Sequence, residues 1–325
     1  MSRPSKAKGF ALLTAIILLA VFSLMGSVWL RYMLLENDQT ARGLKSLQAQ
    51  YVANAGANAA IAELARALQS GDVAALLAEP PVVEVPIYSN VVARPNGLEA
   101  VEKAPGLARI TIEDENARIN VNYAPTRVLS ALFGVDGATA RKIRTSLPRQ
   151  DADEFAVGDE PAYWFTSTDE LVTRGFVKAR DFGPVSGDLT VHSVMGAEEA
   201  AAGYININTA SQRVVQAVLG VDAERAKTVM AARPFASVAE LSAAAGKPAA
   251  TFNVRPDPAT PDVLPKDLCF ESRCFRIISA GSVSREGPAG SRQVYARGWV
   301  EAVVYFGADG EPEIRFWSET PKREG

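Results

Sequence analysis

The chain has 325 residues, a net charge of −3 at neutral pH, two cysteines and one histidine. An acidic chain is a poor candidate for a nucleic-acid-binding protein, because a surface that binds phosphates needs clustered positive charge. The lone histidine, His192, has no nucleophile motif around it, and the sequence contains no glycine-rich phosphate loop and no zinc-binding histidine pair. Composition therefore predicts a non-enzymatic protein with no catalytic residues and no required cofactor.

The N-terminus carries an apolar segment long enough to cross a membrane. No charged residue occurs from Phe10 to Leu30, and a helix of this length spans roughly 31 Å, about the thickness of the hydrocarbon core. Arg3, Lys6 and Lys8 precede it without an acidic residue, which predicts a cytoplasmic N-terminus and a chain body across the membrane. A secretory signal fits less well, because such signals have a shorter apolar core and a small-residue cleavage site.

The boundary between the basic and apolar residues is sharp, since Lys8-Gly9 is followed directly by Phe10. A short basic leader that ends in glycine before Phe and an apolar run resembles the prepilin leader of type IV pilins and type II secretion pseudopilins. The resemblance implies that a prepilin peptidase cleaves after Gly9 and methylates the amine of Phe10. Loss of this leader would lower the net charge from −3 to −6. An uncleaved single-span anchor is the alternative interpretation.

The apolar run continues into a one-sided helical segment. No proline occurs from Glu36 to Gln69, and six apolar residues fall near the 3-and-4 spacing of an amphipathic helix: Leu44, Leu47, Tyr51, Ile61, Leu64 and Leu68. We therefore predict one long helix with an apolar half and an amphipathic half, the second of which packs on the rest of the protein.

An internal repeat is the most specific pattern in the chain. The segment INVNYAPTRVLSALFGVDGATARKI, from Ile119, aligns without a gap with ININTASQRVVQAVLGVDAERAKTV, from Ile205. A second match follows each copy, FTSTDEL from Phe165 and FASVAEL from Phe235. Two matched copies predict a duplicated structural unit.

Each copy of the repeat predicts two helices joined by a tight turn, with Gly134 or Gly220 at the turn. The pattern resembles the helix-hairpin-helix unit of SAM-like domains, and the second copy also resembles hairpins of DNA-uptake and repair proteins. DNA-binding hairpins usually present Gly-hydrophobic-Gly to a phosphate, whereas Asp136 and Asp222 stand at the third position here. The resemblance to DNA-uptake hairpins gives an alternative function, a DNA-binding pilin-like protein of an uptake system. The two aspartates disfavour nucleic acid as a partner.

The segments on either side of the repeats have the composition of β-strands. They include VVEVPIYSNVVA and LARITIED before the repeats, and CFRIISAGSV, RQVYARGWVEAVVYF and EIRFWSE after them. Their β-branched and aromatic residues, separated by glycine-containing turns, predict an antiparallel sheet on the amphipathic half of the helix.

Together these features resemble minor pseudopilin K of type II secretion systems, the GspK family, along nearly the whole chain. The INVNTA-type motif of that family appears here as ININ followed by Thr209 and Ala210. The resemblance implies an α+β fold, in which a pilin-like long N-terminal helix packs on an antiparallel β-sheet. It also implies that the sheet is interrupted by a large SAM-like all-α domain with two helix-hairpin-helix repeats.

The implied domain boundaries follow these patterns. They are the cleaved leader at residues 1–9, the transmembrane half of the helix at 10–30, the amphipathic half at 31–70, the first part of the pilin head at 71–115, the inserted helical domain at 116–254 and the C-terminal sheet of the head at 255–325. The proline-rich stretch from Arg255 would be the linker that leaves the insertion.

The resemblance implies a minor pseudopilin that starts or caps the tip of the periplasmic pseudopilus in protein export across the outer membrane. Its implied partners are the minor pseudopilins I and J, the inner-membrane assembly platform and the prepilin peptidase. Its implied location is the inner membrane, with one span and the C-terminal head in the periplasm. A tip position agrees with Thr14, the fifth residue after the cleavage site, where most pilins carry a Glu that pairs with the N-terminal amine of a neighbour.

An acidic segment at residues 151–160 is a candidate calcium site. It resembles the Asp-x-Asp…Gly-x-Glu stretch of the K pseudopilins, and the best matches are Asp151, Asp153 and Glu160. Carboxylate oxygens suit Ca²⁺, which takes about six to eight ligands in flexible geometry. A solvated acidic loop without metal is the alternative.

The two cysteines, Cys269 and Cys274, lie close together in CFESRC. Outside the cytoplasm such a pair most simply forms a disulfide, with two free thiols as the alternative. Zinc is disfavoured, because structural sites normally need four ligands and the only histidine is distant in sequence. We predict a disulfide that closes a short local loop.

Overall fold

The structure, a computed structural model, describes residues 6–94, 97–147, 164–193, 205–248, 268–286, 292–307 and 309–320. The side chains of residues 6–11, 86–105, 285–286 and 292–293 are outside this description. The chain forms two compact units, which are described separately. The first unit contains Met1–Ala55, Val83–Ala108 and Ala280–Trp299, and the second contains Gly56–Val82, Arg109–Ser279 and Val300–Gly325.

Nine α-helices occur in the described residues: α1 (Lys6–Ser70), α2 (Val73–Ala78), α3 (Thr126–Phe133), α4 (Gly137–Thr145), α5 (Glu170–Thr173), α6 (Ala179–Phe182), α7 (Gln212–Leu219), α8 (Ala223–Ala231) and α9 (Val238–Ala245). Two short 3₁₀ helices cover Glu115–Ala117 and Gly183–Asp188. The long helix predicted from the sequence is therefore present as α1.

The strands are β1 (Val82–Arg94), β2 (Gly97–Asp114), β3 (Ile119–Asn120), β4 (Leu189–Thr190), β5 (Ile205–Asn206), β6 (Leu268–Cys269), β7 (Cys274–Glu286), β8 (Arg292–Phe306) and β9 (Pro312–Ser318). The long ones form a five-stranded sheet in the order β1-β2-β7-β8-β9, in which β8 and β9 pair antiparallel. The short ones form two parallel pairs, β3 with β4 and β5 with β6. All the helices after α2 lie between β2 and β7 in the chain, as the sequence predicted.

In the first unit, α1 packs on the sheet through its smallest residues. A Cβ atom on Gly281 or Gly298 would collide with the backbone of α1 at Ala49, so only glycine permits this approach of helix and strand. Gln50 fixes the contact further, because its side chain donates to the carbonyl of Trp299 at 2.9 Å and accepts from its N–H at 3.2 Å. The predicted packing of a long helix on an antiparallel sheet is thus confirmed.

In the second unit, the helical segments share one hydrophobic core. Its largest fully buried side chains include Leu129, Ile143, Leu171, Leu219 and Leu241, which come from α3, α4, α5, α7 and α9 respectively. Residues from both sequence repeats therefore line a single core, and neither repeat forms a separate domain.

The two repeats have the same turn geometry. Gly134 and Gly220 end α3 and α7 in the left-handed region, each with a φ of 61°. Asp136 then begins α4 by accepting the N–H of Thr139 at 2.7 Å, and Asp222 begins α8 by accepting the N–H of Arg225 at 2.8 Å. The sequence match thus corresponds to two helix pairs with matching turns and caps.

A matching pair of asparagines joins each helix pair to the segment that follows it. Asn122 accepts the N–H of Phe165 at 2.9 Å and donates to its carbonyl at 3.0 Å. Asn208 makes the same two bonds with Phe235, at 2.8 and 3.0 Å, and donates a third to the carbonyl of Phe270. These contacts explain why the second sequence match recurs with the first.

Replacing Asn208 with alanine is expected to lower the free energy of unfolding by about 2 to 4 kcal/mol. The change removes three hydrogen bonds and leaves backbone groups of Phe235 without them, at about 1 kcal/mol or more each. Gln212→Ala is the control, because its half-buried side chain makes one 3.3 Å bond. Urea denaturation of the solubilised protein would measure both, and equal losses would contradict the role of Asn208.

Candidate functional site

The most extensive functional surface is the exposed half of α1. Every side chain from Leu12 to Leu44 is exposed, including large residues such as Leu19 at 70% and Trp29 at 64%. Among the described residues, α1 is the one helix with the length and composition to cross a membrane. A soluble surface does not leave so much contiguous apolar area in water, so this half of α1 requires lipid or a protein partner.

The predicted processing residues lie on this helix. Gly9 and Phe10 are within α1, although their side chains are not described, and residues 1–5 lie outside the described part of the chain. Thr14 is exposed one turn further along. Cleavage after Gly9 and methylation of Phe10 stay predictions.

The exposed apolar surface continues past the charged residues as a narrow row. Leu44, Leu47 and Tyr51 are 54%, 70% and 65% exposed and lie on one face by their 3-and-4 spacing; we call them the apolar stripe. The prediction that these residues pack on the head is wrong, because the glycines of the sheet admit Ala49 and Ala53 instead. In the second unit, Ile61 and Leu64 are buried as predicted.

The turns of the two helix pairs are poorly suited to bind a phosphate. The carboxylates of Asp136 and Asp222 already accept the N–H groups at the starts of α4 and α8. The hydrogen bond from the Thr139 N–H also lowers the pKa of Asp136, which keeps this group negatively charged. A phosphate would therefore meet a negative charge where a DNA-binding hairpin offers free donors.

A buried ionic network lies where β2 ends. Glu115 is fully buried and accepts from Arg276 at 2.8 and 3.0 Å and from Arg118 at 3.1 Å. Arg276 also pairs with Glu301, and Thr190 donates its hydroxyl to Glu115. Burial alone would raise the pKa of Glu115, but the bonds and charge of Arg276 outweigh it, so the pKa is lowered.

The two neighbours of Glu115 make a second polar cluster. Asp114 accepts the hydroxyls of Ser272 and Thr209 and the amide of Asn206. Burial raises its pKa despite these bonds. Asn116 accepts the N–H of Cys274 at 2.8 Å. Sequence analysis missed this junction, although the polar run EDEN after the apolar ITI was a signal for it.

The predicted disulfide is not formed in the structure, where Cys269 and Cys274 are both buried free thiols. The two side chains have different surroundings. Cys269 belongs to the short strand beside Asn206, whereas Cys274 packs against Val303 and lies 3.9 Å from the carbonyl of His192. The closeness of the cysteines in sequence therefore did not determine their pairing.

Denaturing the protein is expected to expose two titratable thiols. Burial raises the pKa of both cysteines, so the native protein should react slowly with a thiol reagent at neutral pH. Ellman titration with and without denaturant would measure both states. Finding no thiol in the denatured, non-reduced protein would restore the predicted disulfide.

The other predicted site residues divide into two groups. Asp151, Asp153 and Glu160 lie outside the described residues, so calcium binding there stays a prediction. Within the described part of the chain, no group of three or more metal-ligating side chains occurs. His192 packs its ring 5.0 Å from that of Phe316, which is a structural contact.

Comparisons with known proteins find one similar family and one similar solved structure. A search of curated protein sequences finds no match. A chain of the solved GspK-GspI-GspJ complex of the enterotoxigenic Escherichia coli type 2 secretion system is similar, with 13% identity and a TM-score of 0.49. The similarity covers 87% of this chain and 100% of that one.

The sequence match falls on the second repeat and the segment after it. Residues 205–259 match the family model described as type II secretion system protein K. These residues include the ININ motif, the turn at Gly220 and the asparagine contact with Phe235. This segment of the chain is therefore similar to the type II secretion system protein K family.

Proposed function

We propose that the protein is a minor pseudopilin that starts or caps the tip of the periplasmic pseudopilus of a type II secretion system. The proposal rests on the two different halves of helix α1. Its apolar half is exposed and long enough to span a membrane, and its second half packs on a sheet while leaving the apolar stripe open. A helix of this kind serves first as an anchor in lipid and then as the part that packs against other subunits.

The partners of this proposed assembly are the minor pseudopilins I and J, the assembly platform and the prepilin peptidase. In the proposal, the helices between β2 and β7 form a SAM-like domain whose two helix pairs are helix-hairpin-helix repeats used for protein contacts. The matched turns at Gly134 and Gly220 and the capping by Asp136 and Asp222 support that assignment. The proposal includes calcium binding by the acidic segment at Asp151, Asp153 and Glu160.

A tip position is supported by Thr14. A buried ammonium without a partner costs several kcal/mol, so pilins along a filament need a carboxylate near the N-terminal amine of the next subunit. Threonine supplies no charge, and a subunit that carries it need not have a neighbour on that side. The protein should therefore label one end of isolated pseudopili, and uniform labelling along them would contradict the proposal.

Incubation with prepilin peptidase tests the anchor and processing steps. We expect the membrane-inserted protein to lose nine residues and to gain a methyl group on Phe10, both measured by mass spectrometry. Gly9→Val should block cleavage, whereas Gly26→Ala should leave it unchanged. An uncleaved protein that still sits in the membrane would support a plain anchor. A gel shift with DNA at physiological salt would support the uptake alternative.

A further inference from the structure

A cleft in the second unit has no part in the assembly proposed above. It encloses about 300 Å³ between the segments at residues 166–168 and 186–192 and the ends of β7, β8 and β9. Seven of the side chains that line it are serine or threonine, and the apolar lining residues are few. A pocket of this size is at the lower end of the range for ligand sites, and its hydroxyl groups suit a polar ligand.

The charges at the cleft disfavour an ionic ligand. Arg118 and Arg276 line the cleft, but each already pairs with the buried Glu115. Arg118 also pairs with Glu113, and Arg276 with Glu301. The network therefore contains three carboxylates, of Glu113, Glu115 and Glu301, and two guanidinium groups, so it has one excess negative charge. An anion would add to the excess negative charge, and a cation would compete with the guanidinium groups that already hold the carboxylates.

The same arginines keep hydrogen-bond donors for an uncharged ligand. A guanidinium group has five N–H donors. Arg276 uses three of them and Arg118 two in the bonds to described residues. Their side chains are 11% and 18% exposed, and both line the cleft. A ligand with carbonyl oxygens would meet the remaining donors, which favours an amide or peptide group.

The neighbouring strand favours an extended peptide over a sugar. Sugar sites usually offer an open aromatic ring, but the ring of Phe316 already packs against His192. Phe316 and Ser318 belong to β9, the last strand in the sheet order, which pairs with β8 on one side. No described strand pairs with the other side of β9, so that side can pair with an added strand, which is a common way to bind an extended peptide.

We propose that this cleft and the adjoining edge of β9 bind an extended, uncharged peptide segment of a partner protein. The peptide backbone pairs with the end of β9 at Phe316–Ser318, and its carbonyl groups accept from Arg118 and Arg276. The proposal is independent of the tip position and of α1, so it can fail while the proposed function stands.

The test uses full-length protein in nanodiscs and a phage library of random seven-residue peptides. Selected peptides are synthesised with blocked termini and measured by fluorescence anisotropy. Thr168 lines the cleft, so Thr168→Trp puts a bulky ring at the proposed site. We expect this change to weaken binding at least tenfold. Val238→Trp is the matched control, because Val238 occupies the equivalent position of the second repeat, and it should bind like the wild type.

Circular dichroism checks that the variants fold. If Thr168→Trp does not fold, Thr320→Trp replaces it, because Thr320 also lines the cleft and is exposed. Binding should also change less than twofold between low and high salt, because the ligand is uncharged. Failure to select any peptide that distinguishes wild type from the cleft variants would overturn the proposal. Binding of a neutral oligosaccharide such as chitotetraose, without peptide binding, would overturn it in favour of a sugar site.

Discussion

Replacing Glu115 with alanine is expected to lower the free energy of unfolding of the second unit by about 3 to 5 kcal/mol. Glu115 is fully buried and compensates Arg276, whose side chain is only 11% exposed. Removing the carboxylate leaves this guanidinium with Glu301 alone and also removes the acceptor of the Thr190 hydroxyl. Losing one partner of a buried ion pair costs more than the pair contributes, because the remaining charge stays in a poorly solvated site.

Glu113→Ala is the matched control for this change. Glu113 is two residues away and also pairs with Arg118, but its side chain is 37% exposed. A pair with such access to water contributes at most about 1 kcal/mol. Urea denaturation of both variants in the same detergent would measure the difference. Similar losses would show that the network stabilises the fold no more than a surface pair does.

The pH dependence of stability gives a second readout of Glu115. Its pKa is lowered in the folded protein, so its contribution is present above the unfolded pKa and is lost as the pH falls through the folded pKa. The pKa of Asp114 is raised, so its contribution has the opposite sign and is lost as the pH rises. Glu115→Gln should therefore lose less stability on acidification than the wild type, whereas Asp114→Asn should lose more.

The sequence was sufficient for those features that depend on neighbours along the chain. Helix α1 follows from an unbroken run without proline, and the helix pairs follow from apolar spacing around Gly134 and Gly220. The asparagines of the repeat, Asn122 and Asn208, are identical in the alignment of the two copies. Their hydrogen bonds to Phe165 and Phe235 were not predicted. Local patterns determine these elements because their hydrogen bonds and turns join residues that are close in sequence.

Features that depend on distant residues could not be predicted in the same way. The choice between Ala49 and Leu47 as the packing residue of α1 depends on Gly281 and Gly298, more than 200 residues away in the chain. The partners of Glu115 are similarly remote, since Arg276 is separated from it by 161 positions. Periodicity shows that a helix has an apolar face, but the facing surface decides which residues pack.

A substitution in the apolar stripe is expected to have a large effect on assembly and a small effect on folding. Leu47→Glu is expected to weaken binding to the minor pseudopilins I and J by about a hundredfold or more. Under the proposed function this side chain is buried against a partner helix, and burying a carboxylate there costs at least about 3 kcal/mol. The free energy of unfolding should change by less than about 0.5 kcal/mol, because Leu47 is 70% exposed in the isolated chain.

Ser46→Glu is the matched control, because it adds the same negative charge outside the apolar stripe. Ser46 is exposed and adjacent in sequence, but it lies about 100° around the helix from Leu47, so its carboxylate can stay in water. Pull-down of I and J from detergent, with both variants at equal concentration, would measure the difference. If both variants bind I and J as well as the wild type does, the contact lies elsewhere on the chain. If both variants lose binding, net charge controls association, and the stripe has no specific role.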